Sequence, residues 1–216
     1  MTELFFLKIP LNFDLSNSPL LQYLPVEERK VCTNASRQAS LFGRILLYWL
    51  ADQRIEGFVP PMFSYHDKGK PYFKEYPDFH FNISHSFEYV GVAVGNQELG
   101  VDIERHRKYK KPLAERFLHP DEFAFLESLP DEDQPLQFTN IWNLKESYVK
   151  YTGEGIANTF QQFAVIPTFE IIQKTFGEKP VFFKLYKTIL GYSVSLCSPN
   201  NLLPDTMQEV SGCLFD

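Results

Sequence analysis

The sequence predicts an α+β fold of two similar α/β subdomains, a pseudo-twofold duplication with mainly antiparallel strands. In each half a helical pattern comes first, and short apolar runs separated by turn residues follow it. Apolar residues make up 44% of the chain and aromatic residues 16%, mostly Phe and Tyr, which favours a folded, sheet-rich protein. We place the halves at residues 1–104 and 105–216, divided at the charged run Arg105–Lys111, and expect a site in the cleft between them.

Local patterns predict each element of the N-terminal half. Residues 3–9 form a strand that ends at Pro10. From Val26 to Asp52 the apolar residues recur at spacings of three and four, which predicts a helix. Within it, Gly43 indicates either the close approach of another element or a weak spot. Three apolar runs then predict an antiparallel meander. These runs are His80–Ile83, Tyr89–Val94 and Leu99–Ile103.

Helical patterns open the C-terminal half and strands close it. Pro112–Phe117 and the segment after Pro120 each predict a short helix. A longer helix carries Trp142 and ends near Gly153, where a glycine C-cap is expected. The residues from about Ser198 predict a polar tail of uncertain order. The predicted strands are Phe163–Ile166, Phe169–Lys174, Val181–Leu190 and Tyr192–Cys197.

Composition narrows the class of protein. A formal charge of −6 argues against nucleic-acid binding, which needs a basic surface. Three widely spaced cysteines, Cys32, Cys197 and Cys213, lack metal-ligand spacing and indicate ordinary thiols in a reducing compartment. No apolar run is long enough to span a membrane, and the first residues do not resemble a signal peptide. We therefore expect a cytoplasmic protein without membrane contact, and a monomer, since one duplicated chain supplies both sides of a cleft.

The segment 142–150 places an acid and a base on one helix face. Trp142, Glu146 and Lys150 follow one another at intervals of four residues, so their side chains line up along the helix. Such an acid–lysine pair is most often only a solvated salt bridge. Its meaning depends on what the rest of the chain brings to it.

Two further acids lie at the end of a predicted strand. Asp102 and Glu104 share one face of that strand, roughly 6.6 Å apart at about 3.3 Å per residue. Taken alone, this pattern is usually solvated surface. With Glu146 the pair becomes a plausible Mg²⁺ site, because Mg²⁺ prefers carboxylate oxygens and keeps positions open for phosphates. Lys150 then lies where it neutralises charge on those phosphates.

Two polar motifs are candidates for anion binding. Ser84 and His85 follow a predicted strand where it gives way to a turn, so their donors could surround an anion. Lys70 follows Gly69 in a turn, which on its own indicates only turn chemistry. The remaining histidines, for which we predict structural roles, are His66, His80, His106 and His119.

Together the four motifs resemble the 4'-phosphopantetheinyl transferases of the Sfp type. That family carries Gly-Lys-Pro, Asn-Ile-Ser-His-Ser, Gly-(Val/Ile)-Asp-(Ile/Val)-Glu and Trp-x-x-Lys-Glu-(Ala/Ser)-x-x-Lys in this order. In this chain they are Gly69–Pro71, Asn82–Ser86, Gly100–Glu104 and Trp142–Lys150. Only the last two motifs are fairly specific individually, but the set in this order is improbable by chance.

The resemblance implies an enzyme that transfers the 4'-phosphopantetheine arm of coenzyme A to a serine hydroxyl of an apo acyl or peptidyl carrier protein. The second product would be 3',5'-adenosine bisphosphate. It implies that Asp102, Glu104 and Glu146 hold Mg²⁺, that Glu146 helps remove the serine proton, and that Lys150 stabilises the leaving phosphate.

The resemblance also implies contacts to coenzyme A. Ser84 and His85 would contact its phosphates, and Lys70 would lie at its nucleotide end. The family uses basic residues of the first helical region for the 3'-phosphate, but the sequence does not single out which ones serve here. The candidates are Arg29, Lys30, Arg37 and Arg44.

Other functions stay open at this point. The same acids suit a Mg²⁺-dependent hydrolase of nucleotide pyrophosphates, and the fold suits a non-catalytic carrier-binding module. A plain α+β domain with surface ion pairs explains each motif but not their co-occurrence. The sequence does not identify the carrier, and the basic run Arg105–Lys111 is either a surface for it or a solvated linker.

Overall fold

The structure is a computed structural model that describes residues 1–10, 13, 18–29, 38–155, 159–167, 171–176 and 179–210. The helices are α1 (Val26–Arg29), α2 (Gln38–Asp52), α3 (Lys111–Phe117), α4 (Pro120–Glu127) and α5 (Gln134–Thr152). The strands are β1 (Glu3–Lys8), β2 (Ser64–Tyr65), β3 (Pro71–Tyr72), β4 (His80–Ser86), β5 (Tyr89–Gly95), β6 (Gly100–Arg105), β7 (Ile171–Phe176), β8 (Lys179–Tyr186), β9 (Tyr192–Ser198) and β10 (Gln208–Glu209).

Two four-stranded sheets carry the fold. One has the order β10-β1-β5-β4 and the other β6-β9-β8-β7, while β2 and β3 form a separate hairpin. All of these pairs are antiparallel except β1 with β10. The predicted α+β class with mainly antiparallel strands is therefore confirmed.

One long helix packs on each sheet, as expected for two similar halves. Helix α2 lies on β4 and β5, and α5 lies on β6, β9 and β8. The close approach indicated by Gly43 is confirmed, since a β-carbon built there would lie 2.6 Å from Ile83 Cγ2. The helix predicted from Val26 to Asp52 has residues 30–37 outside the described part of the chain, so only α1 and α2 represent it.

Helix α5 begins and ends where its sequence indicates. Pro135 lies in the first turn, where proline has the least effect on backbone hydrogen bonds. At the other end Gly153 adopts a φ of 75°, and its N–H donates to Val149 O at 2.7 Å. The predicted glycine C-cap is thus confirmed.

Three strand assignments differ from the sequence prediction. Strands β4 and β5 pair as expected, but β6 leaves the predicted meander and pairs with β9 in the other sheet. The predicted strand Phe163–Ile166 has no strand pairing; its backbone instead serves a buried ion pair, described below. The predicted strand Phe169–Lys174 begins at Ile171 in the structure, and residues 168–170 lie outside the described part.

The segment after Ser198 is not a loose polar tail as far as it is described. It returns to the first sheet, where β10 pairs in parallel with β1. Leu203, Met207 and Val210 are buried in the two cores that flank this sheet. These scattered apolar side chains anchor the segment, and their irregular spacing explains why the sequence pattern did not indicate it.

The predictions for the cysteines, for membrane spans and for the domain boundary can be compared with the structure. Cys197 is buried as a free thiol, and burial raises its pKa. Cys32 and Cys213 lie outside the described residues. Among the helices of the described residues, none combines the length and the apolar character needed to cross a bilayer. The predicted boundary at residue 104 falls inside β6, and the division into two domains stays a prediction.

The contact between α5 and β6 depends on Gly100. A β-carbon at this position would lie 2.1 Å from Ser147 O and 2.3 Å from Tyr151 N, both backbone atoms of α5. Backbone atoms cannot rotate away as a flexible side chain can. A larger residue would therefore push the helix off the strand.

We expect Gly100→Ala to lower the free energy of unfolding by about 3 kcal/mol, because the helix must shift to accommodate the methyl group. Gly91→Ala, on the adjacent β5, is the matched control, since a β-carbon there would lie 3.9 Å from Val101 Cγ2, at ordinary van der Waals distance. Urea denaturation of both variants measures the difference. Equal stabilities of the two variants would contradict the close-packing argument.

Candidate active site

Asp102 on β6 and Lys150 on α5 form the centre of the candidate site. Lys150 Nζ lies 2.6 Å from Asp102 Oδ1 and 2.6 Å from Ser84 Oγ. Asp102 is only 4% exposed, whereas the Lys150 side chain is partly open to solvent. Residues from β4, β6 and α5 therefore meet at one point, as the sequence analysis expected of three of its motifs.

The alternation of β6 explains why Asp102 points at the helix. Val101 and Ile103 enter the hydrophobic core between the sheets, so Asp102 faces the opposite side. There its second oxygen, Oδ2, accepts a hydrogen bond of 2.7 Å from Asn143 Nδ2, and Oδ1 accepts one of 2.9 Å from Ser84. A buried carboxylate is tolerated only when such partners replace water.

Glu104 and Glu146 lie close enough to this pair to be repelled by the charge of Asp102 and attracted by that of Lys150. Burial, followed by the charge of Asp102, raises the pKa of Glu146 to about 7. The same two causes raise the pKa of Glu104, which also lies 3.3 Å from the guanidinium of Arg107. The acids predicted for one site thus lie close enough to affect each other's ionisation, and the cluster favours a bound positive charge.

The donor chemistry of this cluster fits Mg²⁺. Asp102, Glu104 and Glu146 all offer carboxylate oxygens. A divalent cation would relieve the repulsion between their charges. Within the described ranges, however, no set of three His, Cys, Asp or Glu side chains is arranged to hold one ion. Lys150 supplies the positive charge beside Asp102 instead. Metal binding by these residues remains a prediction.

Ser84 and His85 lie on strand, not in the predicted turn. β4 continues through Ser86, because His85 and Ser86 pair with Val90 and Tyr89 of β5. Ser84 is 4% exposed, whereas His85 on the other face is exposed. Desolvation of the imidazole, followed by the charge of Lys150, lowers the pKa of His85. His85 is thus near the site and solvent-accessible, and its predicted phosphate contact stays a prediction.

Lys70 lies at the C-terminal end of α5, away from the acids Asp102, Glu104 and Glu146. The preceding Gly69, with a φ of 87°, closes the β2–β3 hairpin. Lys70 Nζ donates to Tyr151 O at 2.9 Å and to Leu99 O at 3.1 Å, and it pairs with Glu98. The residue also lines a cavity of about 590 Å³ between the hairpin and α5.

The basic residues suggested for the 3'-phosphate already have protein partners where they are described. Arg29 donates from Nε to Leu24 O and from Nη2 to Gln22 O, both at 2.8 Å. Arg44 pairs with Glu28 and stacks over a phenylalanine ring. Lys30 and Arg37 lie outside the described residues. The 3'-phosphate contacts stay untested predictions.

The charged run Arg105–Lys111 is largely exposed and makes contacts with neighbouring elements. The Arg105 guanidinium lies 4.5 Å from the Phe87 ring centre, and that of Arg107 lies 5.2 Å from the ring of Trp142. Lys111 pairs with Glu127 of α4. These contacts anchor the run beside the acidic cluster.

The sequence analysis missed a second lysine of the same helix. Lys145 is completely buried with Glu122, and Lys145 Nζ lies 3.0 Å from Glu122 Oε2. The ammonium group also donates to Phe160 O and Phe163 O, while Glu122 accepts from the N–H groups of His119 and Val165. Burial raises the pKa of Glu122 and lowers that of Lys145.

Asn143 was also missed as a partner of the site. It is fully buried, its amide group donates to Asp102, and its backbone carbonyl accepts from Ser195 Oγ at 2.9 Å. The sequence signal for Asn143 was a polar residue directly beside Leu144, a position that the helical pattern assigns to the core. Trp142 has the packing role predicted for it, with ring centres 5.1 Å from Phe160 and 6.0 Å from Phe117.

Comparison with known proteins identifies relatives over most of the chain. The model of the 4'-phosphopantetheinyl transferase superfamily matches residues 98–197, which include β6 and α5. The chain is 31% identical to the 4'-phosphopantetheinyl transferase gsp of Aneurinibacillus migulanus, over 92% of this chain and 86% of that protein. It is 27% identical to the 4'-phosphopantetheinyl transferase Sfp of Bacillus subtilis, over 90% and 91%. A third relative, psf-1 of Bacillus pumilus, is 32% identical over 74% and 70%.

We expect Lys145→Met to lower the free energy of unfolding by about 3–5 kcal/mol at pH 8, because Glu122 is left buried without its cation. An unpaired buried carboxyl has a raised folded-state pKa, so the loss develops above its ordinary value of 4.5 and shrinks as the pH falls toward it. Denaturant titrations at pH 5 and pH 8 measure both effects.

Lys179→Met is the control, since Lys179 is exposed on β8 and should be replaceable without a measurable change. A Lys145→Met variant as stable as this control would show that the buried pair contributes nothing.

Proposed function

This chain belongs to the 4'-phosphopantetheinyl transferase superfamily, and we propose that it transfers the 4'-phosphopantetheine arm of coenzyme A to a serine hydroxyl of an apo carrier protein. It is an enzyme of phosphopantetheine transfer, and its partners are coenzyme A and a carrier protein. We further propose which atoms react, which residues hold a metal ion and which residues act on the reacting groups.

The meeting of Lys150, Asp102 and Glu146 at the contact of α5 with β6 carries the proposal. A partly exposed ammonium beside a buried carboxylate, with a second carboxyl one helical turn away, combines a charge-neutralising group with a proton acceptor. An idle surface salt bridge has no need of the buried partners that hold Asp102.

The reaction is a substitution at phosphorus. The serine oxygen of the carrier attacks the phosphorus that bears the pantetheine arm, and the bond to the bridging oxygen of the pyrophosphate breaks. The products are the phosphopantetheinyl carrier, 3',5'-adenosine bisphosphate and one proton. Glu146 accepts the serine proton in this step. Lys150 neutralises the charge on the departing phosphate.

Asp102, Glu104 and Glu146 would hold Mg²⁺ in this reaction. When bound, the ion neutralises the pyrophosphate and orients it. Lys150 uses two of its three N–H donors on Asp102 and Ser84, and its partly exposed side chain leaves the third for a substrate phosphate.

The remaining contacts follow from the position of the cavity. Lys70 and the tyrosines around it line the 590 Å³ cavity at the end of α5, and we place the nucleotide of coenzyme A there. His85, exposed beside Lys150, is placed on a phosphate. One chain supplies β4, β6 and α5, so we expect a monomer to be active.

Incubation of the protein with apo carrier, coenzyme A and Mg²⁺ should raise the carrier mass by one phosphopantetheine unit. A panel of fatty-acid, polyketide and peptide-synthase carriers, followed by mass spectrometry, tests this and identifies the partner. Reactions without carrier are the control, because a pyrophosphate hydrolase would consume coenzyme A there as well. Loss of coenzyme A without carrier, or no gain on any carrier, contradicts the proposal.

Asp102→Asn and Glu146→Gln should each reduce transfer at least about 100-fold, because each substitution removes a charge without changing side-chain size. Titration calorimetry with Mg²⁺ in the presence of coenzyme A should show binding to the parent protein and much weaker binding to Asp102→Asn. Glu132→Gln, in the exposed loop before α5, is the matched control and should behave like the parent. Unchanged Mg²⁺ binding by Asp102→Asn would overturn the metal assignment.

A further inference from the structure

Asn143 is a buried polar residue of α5 that binds Asp102 from the helix side. It is fully buried, and its Nδ2 donates to Asp102 Oδ2 at 2.7 Å. Its backbone is held by Ser195 of β9, whose Oγ donates to Asn143 O at 2.9 Å. Ser195 lies directly opposite Asp102 in the pairing of β6 with β9. The strand residue beside Asp102 therefore also places the amide group that binds it.

The second polar atom of the Asn143 side chain lacks a partner of this kind. An ionised carboxylate only accepts hydrogen bonds, so Nδ2 must face Asp102 and Oδ1 must point elsewhere. Oδ1 is buried, and no donor in the described part of the chain lies within hydrogen-bonding distance of it. A buried amide oxygen without a donor lowers the stability of the folded state. Leucine would fill a similar volume without this penalty, so packing does not explain an asparagine at position 143.

The hydrogen bonds to Asp102 leave part of its carboxylate available. An ionised carboxylate has about four acceptor positions, two on each oxygen. Oδ1 accepts from Ser84 Oγ at 2.9 Å and from Lys150 Nζ at 2.6 Å, whereas Oδ2 accepts from Asn143 Nδ2. Counted over the described residues, one acceptor position on Oδ2 is left. Asn143 thus holds the carboxylate oxygen that keeps capacity for a cation.

We infer that Asn143 is a positioning residue that orients Asp102 for the divalent cation and acts through this carboxylate, not on the reacting atoms. Donors behind a metal-binding group fix its orientation and raise its affinity for the metal. This role accounts for an asparagine that leaves its own Oδ1 unpaired. Asn143 occupies an unspecified position of the motif Trp142–Lys150, so the motif does not assign it. The inference rests on the proposed function, which gives Asp102 to the metal.

Asn143→Leu should raise the Kd for Mg²⁺ about 10- to 100-fold, as substitutions of such orienting residues typically do. Calorimetric titration with Mg²⁺ in the presence of coenzyme A measures this Kd, and the Mg²⁺ concentration for half-maximal transfer should rise with it. The urea midpoint should stay close to the parent value, because removal of the unpaired Oδ1 offsets the lost hydrogen bond. An unchanged Kd, or a parent protein that binds no Mg²⁺, would overturn the inference.

Thr139→Val is the matched control. Thr139 is also fully buried, lies one helical turn before Asn143, and donates from Oγ1 to Pro135 O within α5. The substitution removes a buried polar group from the same helix at nearly constant size, and it leaves the contacts of Asp102 in place. We expect its Kd for Mg²⁺ to remain within about twofold of the parent value. An equal rise in both variants would show that both act by loosening α5, and the role of Asn143 would be wrong.

Amide exchange of the parent protein tests the hydrogen bond without metal or activity. The side-chain amide protons of Asn143, followed by NMR in D₂O, should exchange more slowly than those of Asn96, which is exposed. Equal exchange rates would show that the contact with Asp102 is not kept in solution, and the inference would fail. This measurement decides the question even if Asn143→Leu does not fold.

The inference and the proposed function fail in different ways. Absence of transfer on every carrier, with Mg²⁺ binding weakened by Asn143→Leu but not by Thr139→Val, would count against the proposed function and leave the role of Asn143 standing. Transfer by the parent protein, with equal Mg²⁺ affinity in the parent and in Asn143→Leu, would overturn the inference alone.

Discussion

The ion pair between Asp102 and Lys150 depends on how closely α5 can approach β6. Gly100 allows the helix backbone to touch the strand, and Asp102 follows two residues later on the strand face that the helix covers. The carboxylate is buried there and would be unstable without partners. Its partners come from two elements, Ser84 of β4 and the pair Asn143 and Lys150 of α5, which lie about two turns apart on one face of the helix. The two sheets and the helix are thus held in register by the same carboxylate.

Two lysines of α5 show how burial separates structural from chemical roles. Lys145 and Lys150 are five residues apart, so they lie on different faces of the helix. Lys145 faces Glu122 and two backbone carbonyls in a site without solvent, where it connects α4, α5 and the segment after Phe160. Lys150 pairs with Asp102 and Ser84 and keeps partial solvent access. Of these two lysines, only Lys150 has a side chain that solvent reaches.

The electrostatics of the cleft favour a cation. Glu104 and Glu146 both have raised pKa values because burial and Asp102 disfavour their charged forms. Lys150 compensates part of this repulsion within the protein. A divalent ion at these carboxylates would compensate more of it. The raised pKa values of Glu104 and Glu146 are therefore consequences of one buried acidic cluster.

Much of this architecture was determined by the sequence. The helical and strand periods predicted α2, α5 and most strands, Gly153 marked the end of α5, and the combination of four motifs indicated the family. The motifs also indicated residues that lie at the contact of α5 with β6. Strand and helix periods put Asp102 with Glu104, and Glu146 with Lys150, on shared faces.

Only the tertiary structure decided how these faces pair. In it, β6 pairs outside the predicted meander, Lys145 is buried with Glu122, and Ser84 has three protein partners. Each of these contacts joins residues 18 or more positions apart in the chain. A local period fixes the direction of a side chain relative to its own element, but not which distant element comes to lie opposite. That choice depends on the packing of the whole chain, and here it placed Ser84 of one sheet against Asp102 and Ile103 of the other.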